Sequence, residues 1–443
     1  MMPMRPFNVS LLSIALILVP AVSYAQNPMN IARISVATNG QQGNGDSILP
    51  AINADGRFVA FQSWASNLVE GDTNNTWDIF VHDRLTGETK RVSVASDGVQ
   101  ANGKSESLSI SGDGRFIAFS SIASNLTSNI TNYKSDIFVH DMKTGETTQV
   151  SVSSDGKQGN GSSINPSISA DGRYVAFVSL AYNLDPRDTN NNADIFVHDR
   201  LTKKTIRVSV ASDGTQTNDN STDASIRTNG RYIAFTSAAS NLVPKDTNGK
   251  VDVFIHDLET GETKRVSVAS NGTEGNGNSA RARISLNGEY VIFTSEASNL
   301  VPKDANNFWD IFFHNVKTGE TTRESVSSDN IQGNGNSTRP RLSREDGRFI
   351  IFASEAANLV PNDNNTNNVW DIFVHDRTTK KTQRVSKTFD GKEANNASDF
   401  PTVSSNGRYI AFDSWASNLV QNDTNRTKDI FVVNNPLVPF NDK

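Results

Sequence analysis

Short apolar runs of strand length, separated by polar loops, recur along the whole chain. The run at 57–63 is apolar at its centre, and a second run at 78–83, Asp-Ile-Phe-Val-His-Asp, follows after a polar loop. The apolar residues of both runs are consecutive, whereas a strand with one solvated face would alternate apolar and polar positions. Such runs predict strands that are buried on both faces. Because no helical periodicity accompanies them, the pattern predicts an all-β protein.

The second run occurs seven times, with small variations. Its copies begin at intervals of 58 residues, with one interval of 61, at Asp78, Asp136, Asp194, Asp252, Asp310, Asp371 and Asp429. Each repeat also has a short strand before an Asp-Gly-type turn and a fourth strand after the run, at 50–53 and 90–95 in the first copy. Repeats of four strands and this length predict the blades of a β-propeller.

The two ends of the repeat array complement each other. The last copy stops after its third strand, at Asn434, and the missing fourth strand is found before the first copy, at 32–37. The sequence therefore predicts a seven-bladed β-propeller with four antiparallel strands per blade. We expect the N-terminal strand to complete blade 7 and close the ring, which removes open sheet edges. Residues 26–443 form a single domain in this prediction.

The first 25 residues have the features of a secretory signal peptide. Arg5 precedes an apolar stretch at 9–22, and Ser23-Tyr24-Ala25 provides a small-x-small cleavage site. An uncleaved membrane anchor is the alternative, although the apolar stretch is short for a span. We expect an exported monomer, periplasmic or extracellular, with no transmembrane segment after cleavage. The chain contains no cysteine, so packing alone must hold the fold.

The repeat resembles a known one. The string Ser-x-Asp-Gly-Arg-x-x-Ala-Phe-x-Ser, followed by Asp-Ile-Phe-Val-His-Asp and Arg-Val-Ser, is similar to the TolB-type, WD-like propeller repeat, over about residues 30 to 435. The resemblance implies a propeller fold and is less specific for function. TolB proteins carry an α/β domain before six blades, whereas this chain passes directly from the leader to seven.

Acidic strings fill the loop between the second and third strands of most copies. Side chains with carboxylate or amide oxygens at positions 1, 3 and 7 of a tight loop resemble the start of a calcium-binding loop. Turns capped by Asp and Asn are the alternative. Blade 2 has Ile130 in place of the first Asp, and the sixth copy is longer, at 363–371. The candidate Ca²⁺ ligands are Asp72, Asn74, Asp78, Asp188, Asn190, Asp194, Asp246, Asn248, Asp252, Asp304, Asn306, Asp310, Asp423, Asn425 and Asp429.

All six histidines occupy one column of the repeat. They are His82, His140, His198, His256, His314 and His375, and Val433 takes the seventh place. A repeated position favours a structural hydrogen bond near the strand end over catalysis. With no other histidine and no cysteine, nucleophilic catalysis of the Ser-His or Cys-His type has no candidate base.

The copies differ from one another beside the predicted central channel. In the innermost strand, copies 5 and 6 alone carry arginine in two columns, at Arg281, Arg283, Arg339 and Arg341. Just after the second strand the same copies carry Glu296 and Glu355, whereas copies 1 and 7 carry Trp64 and Trp415. The innermost strand lines the channel, and a two-residue period places both arginine columns on one side of it. Arginines beside aromatic plates suit an acidic sugar, whereas Arg–Glu pairing and Trp packing are the structural alternative.

The loops between blades and the loops between the second and third strands emerge on the same face of a propeller, which we call the long-loop face. These observations predict an exported, non-catalytic binding scaffold for a protein or an acidic glycan, which it binds through this face. A polysaccharide lyase or hydrolase at the channel mouth and a calcium-stabilised structural module are the alternatives. The net charge of −6, without a run of Lys or Arg, does not favour nucleic acid as a partner.

Overall fold

A computed structural model describes residues 30–128, 130–227, 230–343, 347–361 and 369–439. The predicted signal peptide, 1–25, and most of the sixth acidic loop lie outside the described residues. The described part contains 28 strands, and it contains no helix that is long and apolar enough to span a membrane.

The strands, in chain order, are β1 (Ile31–Arg33), β2 (Ser47–Ile52), β3 (Phe58–Ser63), β4 (Asp78–Asp83), β5 (Thr89–Arg91), β6 (Ser105–Ile110), β7 (Phe116–Ser121), β8 (Asp136–Asp141), β9 (Thr147–Gln149), β10 (Ser163–Ile168), β11 (Tyr174–Ser179), β12 (Asp194–Asp199), β13 (Lys204–Arg207), β14 (Ser221–Ile226), β15 (Tyr232–Ser237), β16 (Asp252–Asp257), β17 (Thr263–Arg265), β18 (Ser279–Ile284), β19 (Tyr290–Ser295), β20 (Asp310–Asn315), β21 (Thr321–Arg323), β22 (Ser337–Leu342), β23 (Phe349–Ser354), β24 (Asp371–Asp376), β25 (Lys381–Arg384), β26 (Ser398–Val403), β27 (Tyr409–Ser414) and β28 (Asp429–Asn434).

The strands form seven antiparallel sheets of four, each made from one repeat. Blade 1 is β2-β3-β4-β5, and blades 2 to 6 follow in the same order along the chain. Blade 7 is β26-β27-β28 completed by β1, where Ile31 pairs with Val433 and Arg33 with Phe431. The predicted seven-bladed propeller and its closure by the N-terminal strand are confirmed.

The core consists of apolar side chains packed within and between the blades. The second and third strands of each blade place two phenylalanines opposite each other, as Phe61 and Phe80 do with ring centroids 6.0 Å apart. Both rings have no exposed surface. Blade 7 covers these rings, and blade 2 packs against the opposite face of the same two strands, which explains why the strands lack polar–apolar alternation.

Strand lengths differ from the prediction at both edges of each blade. The fourth strand is shorter than predicted, at Thr89–Arg91 in blade 1, because the chain leaves the sheet after Arg91 and Val94 forms an isolated β-bridge with Gln100 instead. The innermost strand begins earlier, at Ser47, and contains a β-bulge between Ile48 and Ala51. One residue of each bulge has a left-handed backbone, with φ between 44° and 57°: Leu49, Ser107, Asn165, Asp223, Arg281, Arg339 and Phe400.

Candidate ligand-binding channel

A cavity of about 390 Å³ lies at the centre of the ring and is lined by the innermost strands of all seven blades. Each of these strands carries the bulge described above, which adds one residue relative to its neighbour. In blade 5, Ala280 pairs with Thr294 and Arg283 pairs with Ile292. Arg281 and Ala282 therefore lie together opposite the single residue Phe293. The bulge thereby presents side chains from both predicted columns to the channel.

The four predicted arginines all line this cavity. Arg339 pairs with Asp399 at 2.7 Å, and its guanidinium carbon lies 4.1 Å from the centroid of the Phe400 ring. Arg283 donates to the carbonyl of Ala282 at 2.7 Å. Arg341 makes the equivalent bond to the carbonyl of Pro340, at 3.0 Å.

Three of these guanidinium groups have no carboxylate partner among the residues that the structure describes. Within the described parts of the chain, no Asp or Glu oxygen lies within ion-pair distance of Arg281, Arg283 or Arg341. Arg339, which does have a partner, still has a buried Nε without a hydrogen bond. The donors on this wall of the cavity thus outnumber the acceptors that the protein provides.

A fifth arginine, Arg227, lines the same cavity and was missed in the sequence. Its column in the other blades is Asn53, Ser111, Ser169, Ser285, Ser343 and Ser404, whose side chains accept a backbone N–H at the Asp-Gly-type turn. Arg227 instead donates through Nε to the carbonyl of Ile284 at 3.2 Å. A comparison of this column among the seven copies would have revealed the exception.

Burial and mutual repulsion act together on these arginines. The pKa of Arg341 is held well below its usual value by burial and by the charges of Arg283, Arg227, Arg281 and Arg339. The pKa of Arg283 is also lowered by burial, an effect that the nearby charge of Asp223 partly opposes. Because like charges in a poorly solvated site repel each other, the cavity favours an anion.

The opposite wall of the channel is uncharged and polar. Blades 2 and 3 carry Ser109 and Ser167 where blades 5 and 6 carry Arg283 and Arg341. Each serine hydroxyl accepts a backbone N–H from the next blade, at 2.9 Å for Ser109 and 3.2 Å for Ser167. The channel is therefore cationic on one side and hydroxyl-lined on the other.

The predicted tryptophans and glutamates lie at the rim rather than in the cavity. Trp64 and Trp415 are 50% and 44% exposed, and neither lines the cavity. Trp64 contacts Trp77 edge to face, with centroids 5.7 Å apart. The predicted glutamates do not line the cavity either, and a single ligand surface of Arg, Glu and Trp side chains stays a prediction.

The two glutamates contact asparagines of their own blades. Glu296 accepts from the backbone and side-chain nitrogens of Asn278, at 3.1 and 2.7 Å. Glu355 accepts from the side chain of Asn336 at 3.0 Å. Among the described residues, no ion pair joins either glutamate to a channel arginine, so the predicted alternative of Arg–Glu pairing in blades 5 and 6 is not what the structure shows.

The acidic loops are held by an arginine from the fourth strand of the same blade. Arg91 lies 3.2 Å from Asp72 and 3.9 Å from Asp78. Asn74 donates to Asp78 at 2.8 Å and accepts the N–H of Thr76, which is the geometry of an Asx-turn. The same arginine-to-first-aspartate contact, at 3.0 to 3.6 Å, joins Arg207 to Asp188, Arg265 to Asp246, Arg323 to Asp304 and Arg33 to Asp423.

The remaining candidate calcium ligands make the same contacts in their own blades. Asn190, Asn248, Asn306 and Asn425 donate to Asp194, Asp252, Asp310 and Asp429 respectively. Blade 2 lacks both partners of the arginine–aspartate ion pair, because it has Ile130 at the position of the aspartate and Gln149 at the position of the arginine. No group of three or more His, Cys, Asp or Glu side chains in the described ranges is arranged to hold a metal. Calcium binding at these loops stays a prediction.

Each histidine of the repeat belongs to a hydrogen-bond chain that joins two blades. His82 Nδ1 lies 2.8 Å from the Thr89 hydroxyl, which donates to the carbonyl of Val36 in the preceding blade at 2.6 Å. Since that hydroxyl uses its proton on the carbonyl, Nδ1 of His82 is the donor. Burial lowers the pKa of all six histidines.

Blade 5 contains a second charged exception that the sequence comparison missed. Glu324 is 2% exposed and occupies a column that holds Val or Ile in the other blades. Its carboxylate contacts Arg377 at 3.2 Å and His375 Nε2 at 3.6 Å, both from blade 6. The Arg377 guanidinium also lies over the ring of Phe313, 3.4 Å from its centroid.

Solved structures provide the comparison with known proteins, since no protein-family model and no curated protein matches the sequence. An oligogalacturonate lyase from Vibrio parahaemolyticus has a TM-score of 0.53 at 12% identity, covering 92% of this chain and 96% of that one. The β-propeller domain of the Trilobed protease from Pyrococcus furiosus has a TM-score of 0.54 at 10% identity, covering 90% and 99%. The chain has the fold of these propellers.

TolB proteins are also among the structural neighbours, as the repeat predicted. TolB from Acinetobacter baumannii has a TM-score of 0.42 at 17% identity. The match covers 76% of this chain and 63% of that one, so the chain spans less than two thirds of the TolB structure. At these identities the likenesses concern the fold alone.

Proposed function

We propose that this protein is a non-catalytic binding scaffold of the cell envelope whose central channel takes an acidic glycan. The observation that carries the proposal is the group of five arginines around one cavity, three of which lack a carboxylate partner among the described residues. Guanidinium groups bind carboxylates with two parallel hydrogen bonds. The serines and Asn165 on the other wall offer hydrogen bonds to sugar hydroxyls.

The long-loop face is the entrance in this proposal. Trp64 and Trp415 are exposed there, on neighbouring blades, and tryptophan rings provide an apolar plate against which a sugar stacks. Their position beyond the end of the channel wall suits a glycan longer than the cavity. A protein partner with an acidic segment is the alternative occupant.

The hydrogen bonds made by the two glutamates favour a scaffold over an enzyme that uses Glu296 and Glu355 as its catalytic pair. Paired catalytic carboxylates must face the scissile bond. Glu296 and Glu355 are absent from the cavity lining, and both accept hydrogen bonds from asparagines of their own blades. The lyase from Vibrio parahaemolyticus shares the fold and is named for an acidic oligosaccharide, which makes oligogalacturonate a suitable first probe.

The test is calorimetric titration of the protein with trigalacturonate. We expect binding by the native protein and loss of binding in the double variant Arg283→Ser, Arg341→Ser. Serine is the residue of blades 2 to 4 at this position, so we expect the variant to keep the fold. The double variant Arg187→Ala, Arg408→Ala removes the same charge from exposed positions outside the channel and should bind normally. Equal binding by the two double variants would refute the proposal.

The proposal includes export through cleavage of residues 1–25. N-terminal sequencing of the protein recovered from the periplasm or the medium should give Gln26 as the first residue. Recovery of the uncleaved chain in the membrane fraction would favour the anchor instead. Size-exclusion chromatography with light scattering tests the expected monomer.

A further inference from the structure

All five tryptophans of the chain lie at the mouth of the channel, where the innermost strands begin. Two loop positions of each blade form hydrogen bonds to such a strand start. The residue after the second strand donates its N–H to the residue before its own innermost strand, as Trp64 does to Asp46 at 2.8 Å. The residue before the third strand accepts the N–H of the first residue of the next innermost strand, as Trp77 does from Ser105 at 2.9 Å. The tryptophans occupy only these two loop positions: Trp64, Trp77, Trp309, Trp370 and Trp415.

The tryptophans form one continuous arc around the mouth. Trp309 bonds to the start of blade 6, and both Trp370 and Trp415 bond to the start of blade 7. Trp64 and Trp77 bond to the starts of blades 1 and 2, and their rings are in edge-to-face contact. Four neighbouring strand starts in the ring of seven therefore carry all five residues, which we call the tryptophan arc.

The backbone of the blades does not require these rings. Blades 2, 3 and 4 form the same bonds with other residues, which are Ser135, Ala193 and Val251 before the third strand and Ile122, Leu180 and Ala238 after the second strand. Trp370 also packs against the core between blades 6 and 7, but Trp64 and Trp415 are exposed. Exposed apolar groups that gather on one part of a surface mark a binding site.

The charged residues beside the arc favour a sugar over a protein as its occupant. Glu355 bonds to the same strand start as Trp309, and Lys428 bonds to the same strand start as Trp64. The buried centre of a protein–protein interface is depleted of charged residues. A sugar has an apolar ring face and a hydroxyl edge, so it suits an aromatic plate that stands next to a charged hydrogen-bonding group.

The tryptophan arc and the arginine wall meet at the innermost strand of blade 6. This strand, β22, begins at Ser337, which bonds to Trp309, and it carries Arg341 four residues further along. The two points are at most ~13 Å apart along the strand, for a rise of ~3.3 Å per residue. Arg341 lines the cavity, whereas the five tryptophans lie outside its lining. A glycan that is bound at Arg341 and extends out through the mouth therefore passes the arc.

We infer that the tryptophan arc is a further binding surface, which holds the sugar rings of a glycan whose acidic end lies in the channel. This inference rests on the proposed function and extends it from a site for an acidic sugar to a site for one end of a longer chain. The arginines bind the acidic end, and the arc adds affinity for the sugar rings that follow it.

The test compares trigalacturonate with hexagalacturonate by calorimetric titration at constant ionic strength. We expect the hexamer to bind at least tenfold more tightly than the trimer. The triple variant Trp64→Ala, Trp309→Ala, Trp415→Ala should bind the trimer normally and lose this gain. Alanine already occupies the same two loop positions in other blades, at Ala193 and Ala238, so we expect the variant to fold.

Two further variants separate the arc from the channel. Leu180→Ala, Tyr182→Ala removes exposed apolar side chains from blade 3, outside the arc, and should keep the tighter binding of the hexamer. Arg283→Ser, Arg341→Ser should weaken the binding of both oligomers, because it removes the site of the acidic end.

Tryptophan fluorescence provides a measurement that needs no variant. Because every tryptophan of the chain belongs to the arc, acrylamide quenching of the native protein reports on the arc alone. The hexamer should reduce this quenching, and the trimer should reduce it less.

The outcomes separate this inference from the proposed function. Equal affinity for the two oligomers, or a gain that survives in the triple tryptophan variant, overturns the inference, assigns the arc to a protein partner and leaves the acidic-glycan proposal standing. A gain that depends on the tryptophans but not on Arg283 and Arg341 supports the arc and overturns the proposed channel site. No binding of either oligomer by the native protein overturns both.

Discussion

Replacing His198 by valine should make blade 3 less sensitive to acid. Burial, with repulsion from Lys203, lowers the pKa of His198 to about 4 in the folded protein, from 6.5. The unfolded chain therefore binds this proton between pH 6.5 and 4, whereas the folded chain does not. The contribution of His198 to stability is fully present above pH 6.5 and is lost as the pH falls towards 4.

The magnitude follows from the difference between the two pKa values. A shift of about 2.5 units at ~1.36 kcal/mol per unit corresponds to about 3 kcal/mol of stability lost between pH 7.5 and pH 4. His198 is 2% exposed, so solvent screens the effect little. At pH 7.5 the substitution costs about 1 kcal/mol, for the lost hydrogen bond to Thr205. Valine already occupies the equivalent position of blade 7, at Val433, without exposure.

Guanidinium chloride unfolding, followed by tryptophan fluorescence at pH 7.5 and pH 4, measures both quantities. The variant should be about 1 kcal/mol less stable than the native protein at pH 7.5 and about 2 kcal/mol more stable at pH 4. Comparing the variant with the native protein at each pH cancels the titration of every other group.

Thr205→Val is the control, since it removes the same hydrogen bond, together with the hydroxyl's bond to the carbonyl of Val152, but keeps the histidine. Its effect on stability should be similar at both pH values, because burial and Lys203 are what lower the histidine pKa. If His198→Val destabilised the protein equally at pH 7.5 and pH 4, the argument from the buried neutral histidine would be refuted.

Four further changes test other contacts. Asp72→Ile and Arg91→Gln should each lower the free energy of unfolding by about 2–4 kcal/mol, measured by chemical unfolding. The double variant copies blade 2, and its loss should be at least ~1 kcal/mol smaller than the sum of the two single losses. Additive losses would contradict a direct ion pair. Calcium should leave the melting temperature unchanged relative to chelator, because Arg91 already lies between the carboxylates, and a rise of several degrees would show that calcium displaces it. Burial raises the pKa of Asp413 to about 6, so the native protein loses stability as the pH rises from 4 to 6. The free energy of unfolding of Asp413→Asn, measured relative to the native protein, should therefore be up to about 3 kcal/mol higher at pH 8 than at pH 4. The same difference between variant and native protein at both pH values would contradict the raised pKa. Glu324→Val should lower the unfolding free energy by about 2 kcal/mol, since Arg377 loses its carboxylate, and an unchanged stability would show that this buried contact contributes nothing.

The fold was predictable because its cause is local and repeated. Two consecutive apolar strands, such as β3 and β4, require cover on both faces, and seven copies of the unit can provide that cover only for one another. The fourth strand missing from blade 7 and the extra strand at the start specified the closure. The left-handed residue of the bulge was not predictable, because its column includes Leu49, Arg281 and Phe400, which are not residues that favour positive φ.

The channel was predictable only in part, because the columns compared were those of the innermost strand before its central residue. Arg281, Arg283, Arg339 and Arg341 lie there, and Arg227 lies just beyond the strand end. Contacts between different strands were also missed. Asp72 and Arg91 are 19 residues apart, and only the folding of β4 against β5 brings them together. Their joint absence in blade 2 was nevertheless visible in the sequence as Ile130 and Gln149.

The pairing of β1 with β28 imposes a delay on folding. The two strands are about 400 residues apart, so at ~5–20 residues per second β1 waits some 20–80 s during synthesis before its partner exists. For that time β1 has no sheet to join, and six complete blades can form before the seventh. With only three residues, from Ile31 to Arg33, the waiting strand offers few unpaired backbone groups to other chains. Its brevity thus limits the risk of aggregation while the chain is still unfinished.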